Sequence, residues 1–213
     1  MMTILNEAWK ALNIHSGWIV WNLFLAFIPL ALSVWLFRRQ SHSRSLLWWV
    51  CFIVFAAFLP NAPYLLTDII HLIQATREGF SAWIITLVLI PQHLFAILTG
   101  FEAYVISLIN LGYYLHRQGL SRFIIGAELI THALCSVGVY LGRFLRFNSW
   151  DLVTQPDDVI RSVVYDLIGK RPVVIMIVTF VVLTISYWLI KQVTLAILFR
   201  IRHKDSDNAS QNF

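Results

Sequence analysis

Charge is what this chain has least of. Only 13% of its 213 residues are Asp, Glu, Lys or Arg, about half the share usual in soluble domains. Against that, 59% are hydrophobic and the mean hydropathy is +0.72. A soluble fold has no way to hide so much apolar surface, so the chain reads as an integral membrane protein. Cysteine is nearly missing as well. Cys51 and Cys135 fall inside apolar runs and form no spaced motif, which excludes a disulfide framework and a zinc knot and leaves two buried free thiols. There is no glycine-rich phosphate loop, no Gly-x-Ser-x-Gly elbow and no His-Glu-x-x-His pair. An enzyme stays open all the same, because intramembrane catalysts often carry no local signature. A signal peptide is not expected: Glu7 interrupts the start, no basic segment precedes the apolar run and no small-residue cleavage site follows it. The first span should therefore stay in the mature protein. The net charge of +5 sits largely in short loops and near the C-terminal end, where membrane topology explains it more simply than nucleic acid does.

What is present is a series of apolar runs. Between Ile4 and Ile14, helical spacing of Ile4, Leu5, Ala8, Trp9 and Leu12 predicts a short amphipathic helix lying in the interface. Gly17 to Phe37 has about the 20 residues that cross a hydrocarbon core roughly 30 Å thick. Arg38, Arg39 and Arg44 follow, which places that loop in the cytoplasm. A second span runs from Leu46 to Leu59, and Tyr64 to Gln74 reads as a shorter helix at the outer face. Ser81 to Leu115 is too long for one perpendicular crossing and is expected to tilt or bend near Pro91. His116, Arg117 and Arg122 mark a second basic inner loop. Phe123 to Leu145 then returns outward, with Gly138 and Gly142 spaced as a small-xxx-small packing face.

The longest loop spans Gly142 to Arg171. Within it Thr154, Pro156, Asp157 and Asp158 signal a helix start. Val159, Ile160, Val163, Val164, Leu167 and Ile168 share one face of that helix, which should lie on the outer surface and end at Gly169. Pro172 to Phe199 is the last span, followed by Arg200, Arg202 and Lys204 on the cytoplasmic side. The expected architecture is all-α: a polytopic membrane helix bundle of about five transmembrane helices with its N-terminus outside. Residues 1–204 form a single integral membrane domain and 205–213 a polar, disordered tail.

One stretch breaks the apolar pattern: Phe58 to His71, FLPNAPYLLTDIIH. Pro60 and Pro63 lack backbone N–H groups and should push the residues before them out of the helical region, leaving carbonyls one turn back unpartnered. Such backbone survives at membrane depth only when packed in protein or lining a wet cavity. Asp68 and His71, three apart, share a helical face, with Asn61 and Thr67 near enough to complete a polar rim. Such a pair can ligate a metal or relay a proton. Alternatively, Asp68 and Asn61 cap the restarted helix. On the same side, Tyr140 to Asp151, YLGRFLRFNSWD, sets Arg143 and Arg146 where a helix leaves the membrane. Their guanidinium forks suit carboxylates and phosphates, lipid headgroups included; the structural alternative pairs them with Asp68 or Asp151. Deeper in the spans, His93 and His132 lie near the bilayer middle, and Glu128 shares a face with His132. A metal, a haem held between the two histidines, or a proton path would need such groups, and internal hydrogen bonding also explains them. Glu102 is expected near the inner face.

With Asn22 to Pro29 in the first span, these two motifs resemble a family of bacterial multi-pass membrane proteins known only as a domain of unknown function. The resemblance covers most of the chain and implies a bacterial cytoplasmic membrane location. It implies no activity, cofactor or catalytic residue. The leading expectation is an outward-facing polar site built from Asn61, Asp68, His71, Arg143, Arg146 and Asp151, binding or transporting an anionic headgroup or small polar solute. Two competitors stand beside it. One is an intramembrane enzyme using Asp68 with His71, or His93 with Glu128 and His132, with or without a metal; the other is an accessory subunit whose polar residues only hold the fold. Membrane lipids are the expected partners, nucleic acid is not, and a homo-oligomer is compatible with the sequence.

Overall fold

Long apolar runs broken only by short polar loops can satisfy their backbone groups within lipid as helices, and helix is what forms. The computed structural model describes residues 2–39, 44–77, 79–166 and 170–211, and no strand occurs among them. Helix α1 is Met2–Ser33 and runs on through a π-helical turn, Val34–Arg38. Helix α2, Leu46–Phe58, is opened by Ser45, whose Oγ accepts the Trp48 N–H at 3.3 Å. The proline stretch forms α3 (Asn61–Tyr64), a 3₁₀ turn (Leu65–Asp68) and α4 (Ile69–Ala75). Helix α5 (Ala82–Ile84) passes through a π-helical turn, Ile85–Leu89, into α6 (Ile90–Arg117). Then come α7 (Ile124–Phe144), α8 (Asp151–Thr154), α9 (Pro156–Asp166) and α10 (Lys170–Gln211), the last taking in most of the stretch read as a tail. Five helical stretches are long and apolar enough to cross a membrane: Ser16–Arg38, Leu46–Ala75, Ala82–Arg117, Ser121–Phe144 and Lys170–Ile201. The fold is thus all-α with five membrane-length helices.

Local structure departs from expectation in three places. Residues 4–14 are not a separate interfacial helix but the first turns of α1, because Ala11 is buried against Ala75, Ile84 and Leu89. Protein covers only the edge of the expected apolar face, since Leu5, Trp9 and Leu12 stay exposed.

At the proline stretch, the residues before the prolines stay helical: Leu59 has φ −56 and ψ −37, and Ala62 lies within α3. The reason is position. Pro60 and Pro63 fall in the opening turn of a new segment, where N–H groups lack intrahelical partners anyway. The freed carbonyls are taken up locally, since Leu59 O accepts the Ala62 N–H at 3.2 Å and Phe58 O accepts Asn61 Nδ2–H at 2.9 Å. Pro91 is handled differently. The π-helical turn just before it lets the Ile90 N–H reach Ile85 O, so the chain continues as one helix.

Helix α9 begins at Pro156 with Asp157 and Asp158 in its first turn, as the sequence signals, while Thr154 closes α8. Val159 is buried, Ile160 and Val164 are exposed, and Leu167, Ile168, Gly169 and the Val163 side chain lie outside the described residues. Finally, Glu102 is not at an end of its helix. It lies two turns from Asn110, the residue that Arg38 reaches at 2.6 Å from the end of α1, and it accepts a hydrogen bond from Thr194 Oγ1 at 2.8 Å.

Packing divides the bundle unevenly. Helix α1 lies along α6, α7 along α10, and α2 against α1, while α3 is wedged among α1, α6 and α7. The core gathers Phe37, Phe55, Leu65, Phe101, Tyr104 and Leu108. The wedge depends on two of α7's three glycines: a Cβ at Gly138 would stand 2.7 Å from the Pro60 ring, and one at Gly142 would stand 3.4 Å from the Tyr64 ring. Glycine spacing predicted a close neighbour, and the proline turn is that neighbour. Helices α2 and α7 have no such seam between them. They are held apart by the wedge at one end, and a cavity fills the gap.

Candidate functional site

Arg143 occupies the last turn of α7 and points into the proline stretch. Its guanidinium has five N–H donors, and all five are used. Nε donates to Thr67 Oγ1 at 3.1 Å. Nη1 donates to Tyr64 Oη at 3.3 Å and to His71 Nε2 at 3.0 Å. Nη2 donates to Thr67 O at 2.6 Å and to Asp68 Oδ1 at 3.0 Å. The 3₁₀ turn at Leu65–Asp68 aims the Thr67 carbonyl, the Thr67 hydroxyl and the Asp68 carboxylate at one cation, which also lies over the Tyr64 ring at 4.9 Å. Asp68 is 2% exposed, and its other oxygen takes a 3.5 Å contact from Asn22 Nδ2 on α1.

His71 is equally committed. Because an arginine can only donate, Nε2 must accept, which leaves the proton on Nδ1 to bond Gln74 Oε1 at 3.2 Å. Its ring lies 4.8 Å from Trp18, which also lies 5.7 Å from His93. Asn61 Nδ2 reaches Ser149 Oγ at 2.8 Å, tying the proline turn to the loop after α7. Asp151 touches neither arginine; it accepts the Asn148 N–H at 2.6 Å and closes that loop on itself.

Arg146 differs from all of these. It is exposed, forms no ion pair among the described residues, and has φ +60, the only positive φ on a described non-glycine residue. A left-handed position just past a helix end normally goes to glycine or asparagine, and another residue there costs roughly 1–2 kcal/mol. Strain of this kind at a loop that faces a cavity is a mark of functional sites.

The cavity is large, about 1240 Å³, and lies between α2 and α7. At one end its wall carries Asn61, His71, Arg143, Arg146, Asn148 and Ser149. Elsewhere it is almost wholly apolar, reaching as far as Leu111 and Leu115 on α6 and Ala127 on α7. Among the described residues no Asp, Glu or Lys lines it, and neither Asp68 nor Asp151, both in the expected site, is part of the wall. A family model described as Protein of unknown function (DUF1361) matches residues 21–185. The chain belongs to that family. The DUF1361 match takes in the proline stretch, the arginine loop and every helix that lines the cavity. No curated protein and no solved structure matches the chain.

The deeper polar candidates belong to other clusters. Glu128 and His132 face α10, where Tyr187 Oη donates to Glu128 Oε1 at 2.7 Å and Lys191 Nζ forms an ion pair with the same oxygen. His132 Nδ1 pairs with Tyr104 Oη at 2.6 Å, and its ring lies 4.7 Å from Tyr187. His93 Nδ1 donates to Leu89 O at 2.8 Å and neighbours Trp18. The two histidines thus have separate partners. Among the described residues no three His, Cys, Asp or Glu side chains come close enough to hold a metal. Sequence reading had passed over Tyr64, Gln74, Ser149, Tyr187 and Lys191. Lys191, a cation inside an apolar run, was the one signal there to be noticed.

Proposed function

We propose that the chain is an integral membrane protein whose α2–α7 cavity binds an anionic headgroup, with Arg146 as the contacting cation. One observation carries this reading: among the described residues the cavity wall holds two arginines and no carboxylate. Arg143 is already paired with Asp68, whereas Arg146 is exposed at the polar end of the cavity with no ion pair among the described residues, and its guanidinium can bind a phosphate or carboxylate with charge-assisted hydrogen bonds.

The remaining residues divide the labour. Arg143 has no donor to spare, so it positions the wall by pinning α7 to the proline stretch. Asp68 and His71 fix Arg143 in turn. Asp151 holds the 146–151 loop through Asn148, and that loop presents Arg146. Ser149 accepts from Asn61 and keeps its own hydroxyl proton to donate to a ligand. The structure supports binding; a transport cycle would need a second arrangement of the same groups. An enzyme at this place is less well supported, because both ring nitrogens of His71 are engaged and Asp68 is paired.

Native mass spectrometry of the purified protein tests the reading. Wild type should retain an anionic lipid that Arg146→Ala loses, with no change in secondary structure. Equal retention by the two proteins would refute it.

A further inference from the structure

The cavity reaches far beyond the polar end, and its length bears on what fills it. Along α7 the wall runs from Gly142 at the arginine end to Ala127, about 22 Å at 1.5 Å per residue. Half of a hydrocarbon core roughly 30 Å thick is only about 15 Å. The apolar part therefore passes the midplane of any bilayer that the five helices span. Its sides are open to lipid, since Ile53 on α2 and Ile130 and Leu134 on α7 line it and are exposed. Its floor is closed by Leu111 and Leu115 of α6. A free phosphate or a small hydrophilic solute would leave all of this surface without a partner.

Building on the anion-site reading above, we infer that the ligand is a phosphate-bearing amphiphile, its headgroup at Arg146 and one hydrocarbon chain lying between α2 and α7 past the membrane midplane. Charge and shape agree on this occupant. The cationic end with no acid selects the anion, and the continuous apolar trough leading from it toward the far end of α6 selects a chain. The lateral opening gives such a molecule entry from the membrane without passing through water.

The experiment uses the full chain in nanodiscs and two probes. The first is hexadecyl phosphate with a diazirine on its terminal carbon, its photo-adducts mapped by peptide mass spectrometry. The second is inorganic phosphate, scored by protection of Arg146 from phenylglyoxal. Adducts should concentrate on Leu115, Ala127 and Thr131, disappear with excess unlabelled hexadecyl phosphate, and be lost in Thr131→Trp, which fills the trough away from Arg146. Should Thr131→Trp fail to fold, Ala56→Trp blocks the opposite wall. Adducts spread evenly over lipid-facing positions such as Val182 and Ile185 of α10, with Arg146 still protected by phosphate, overturn the chain assignment and leave the headgroup reading standing. Loss of both signals overturns the two together.

Discussion

Two sides of α7 solve the same problem in opposite ways. Toward α10 its polar groups meet partners: Glu128 receives Tyr187 and Lys191, and His132 packs on Tyr187 while its Nδ1 pairs with Tyr104 of α6. Toward α2 two arginines stand at and just past its end, of which Arg143 is consumed by the proline stretch and Arg146 faces a cavity with no acid among its described lining residues. The seam completes its own hydrogen bonds, whereas the wall toward α2 leaves one exposed guanidinium without an ion pair among the described residues, and it is there that the proposed ligand would bind. The difference teaches that buried polarity alone does not point to a site, because the fold can satisfy it from within.

The strongest way to break this contrast is to disturb a balanced group. Arg143→Ala would strand the Asp68 carboxylate, 3% exposed in its side chain, with only the long Asn22 contact, and should destabilise by about 3–5 kcal/mol. Thermal unfolding in detergent would report it, and Asp68→Asn in the same background should return part of the loss. At the seam, Lys191→Ala leaves Glu128 with its Tyr187 bond, and the pair is more open, at 22% and 12% exposed. The expected loss is smaller, about 1–3 kcal/mol, and replacing both partners by Leu and Met should recover most of it.

Packing gives a sharper pair. Gly138→Ala drives a methyl to 2.7 Å from a rigid proline ring, so helix or turn must shift; overpacking of this kind costs about 1–3 kcal/mol. Gly142→Ala meets Tyr64 at 3.4 Å, an ordinary contact, and should melt close to wild type. Equal effects at both positions would show that the wedge of α3 against α7 does not set the separation of α2 from α7.

Much of this arrangement was readable in the residues, for physical reasons that also mark where reading stopped. Apolar runs of membrane length dictate helices because lipid offers the backbone no alternative, so the five stretches follow from the sequence. The proline stretch and the arginine loop read as neighbours and lie as neighbours, because polar groups at one membrane level have few other places to go. What pattern could not show was stoichiometry. That Arg143 spends all five donors depends on a 3₁₀ turn bringing Thr67 O, Thr67 Oγ1 and Asp68 Oδ1 within reach at once. Spacing alone treats Arg143 and Arg146 as equals. The first turns of α1 show a similar limit: spacing picks out Leu5, Trp9 and Leu12, which stay exposed, and gives no sign that Ala11 beside them packs on Ala75, Ile84 and Leu89.

The smallest expected effect on stability is also the most discriminating, and it concerns Arg146. Its left-handed backbone costs roughly 1–2 kcal/mol, a strain that Ala keeps and Gly relieves, although Gly adds about 0.5–1 kcal/mol of unfolded-chain entropy. Arg146→Ala should therefore unfold within about 0.5 kcal/mol of wild type, as exposed substitutions do, and Arg146→Gly should equal or exceed it by up to about 1 kcal/mol. If the guanidinium is the contact, as proposed, neither should retain an anionic lipid. A strut behaves differently: had this side chain served the fold, removing it would lower the melting temperature as Arg143→Ala does, and glycine would do no better than alanine. A protein that grows no less stable while losing its ligand would show that an arginine sits at this strained position for the cavity and not for the helix that ends there.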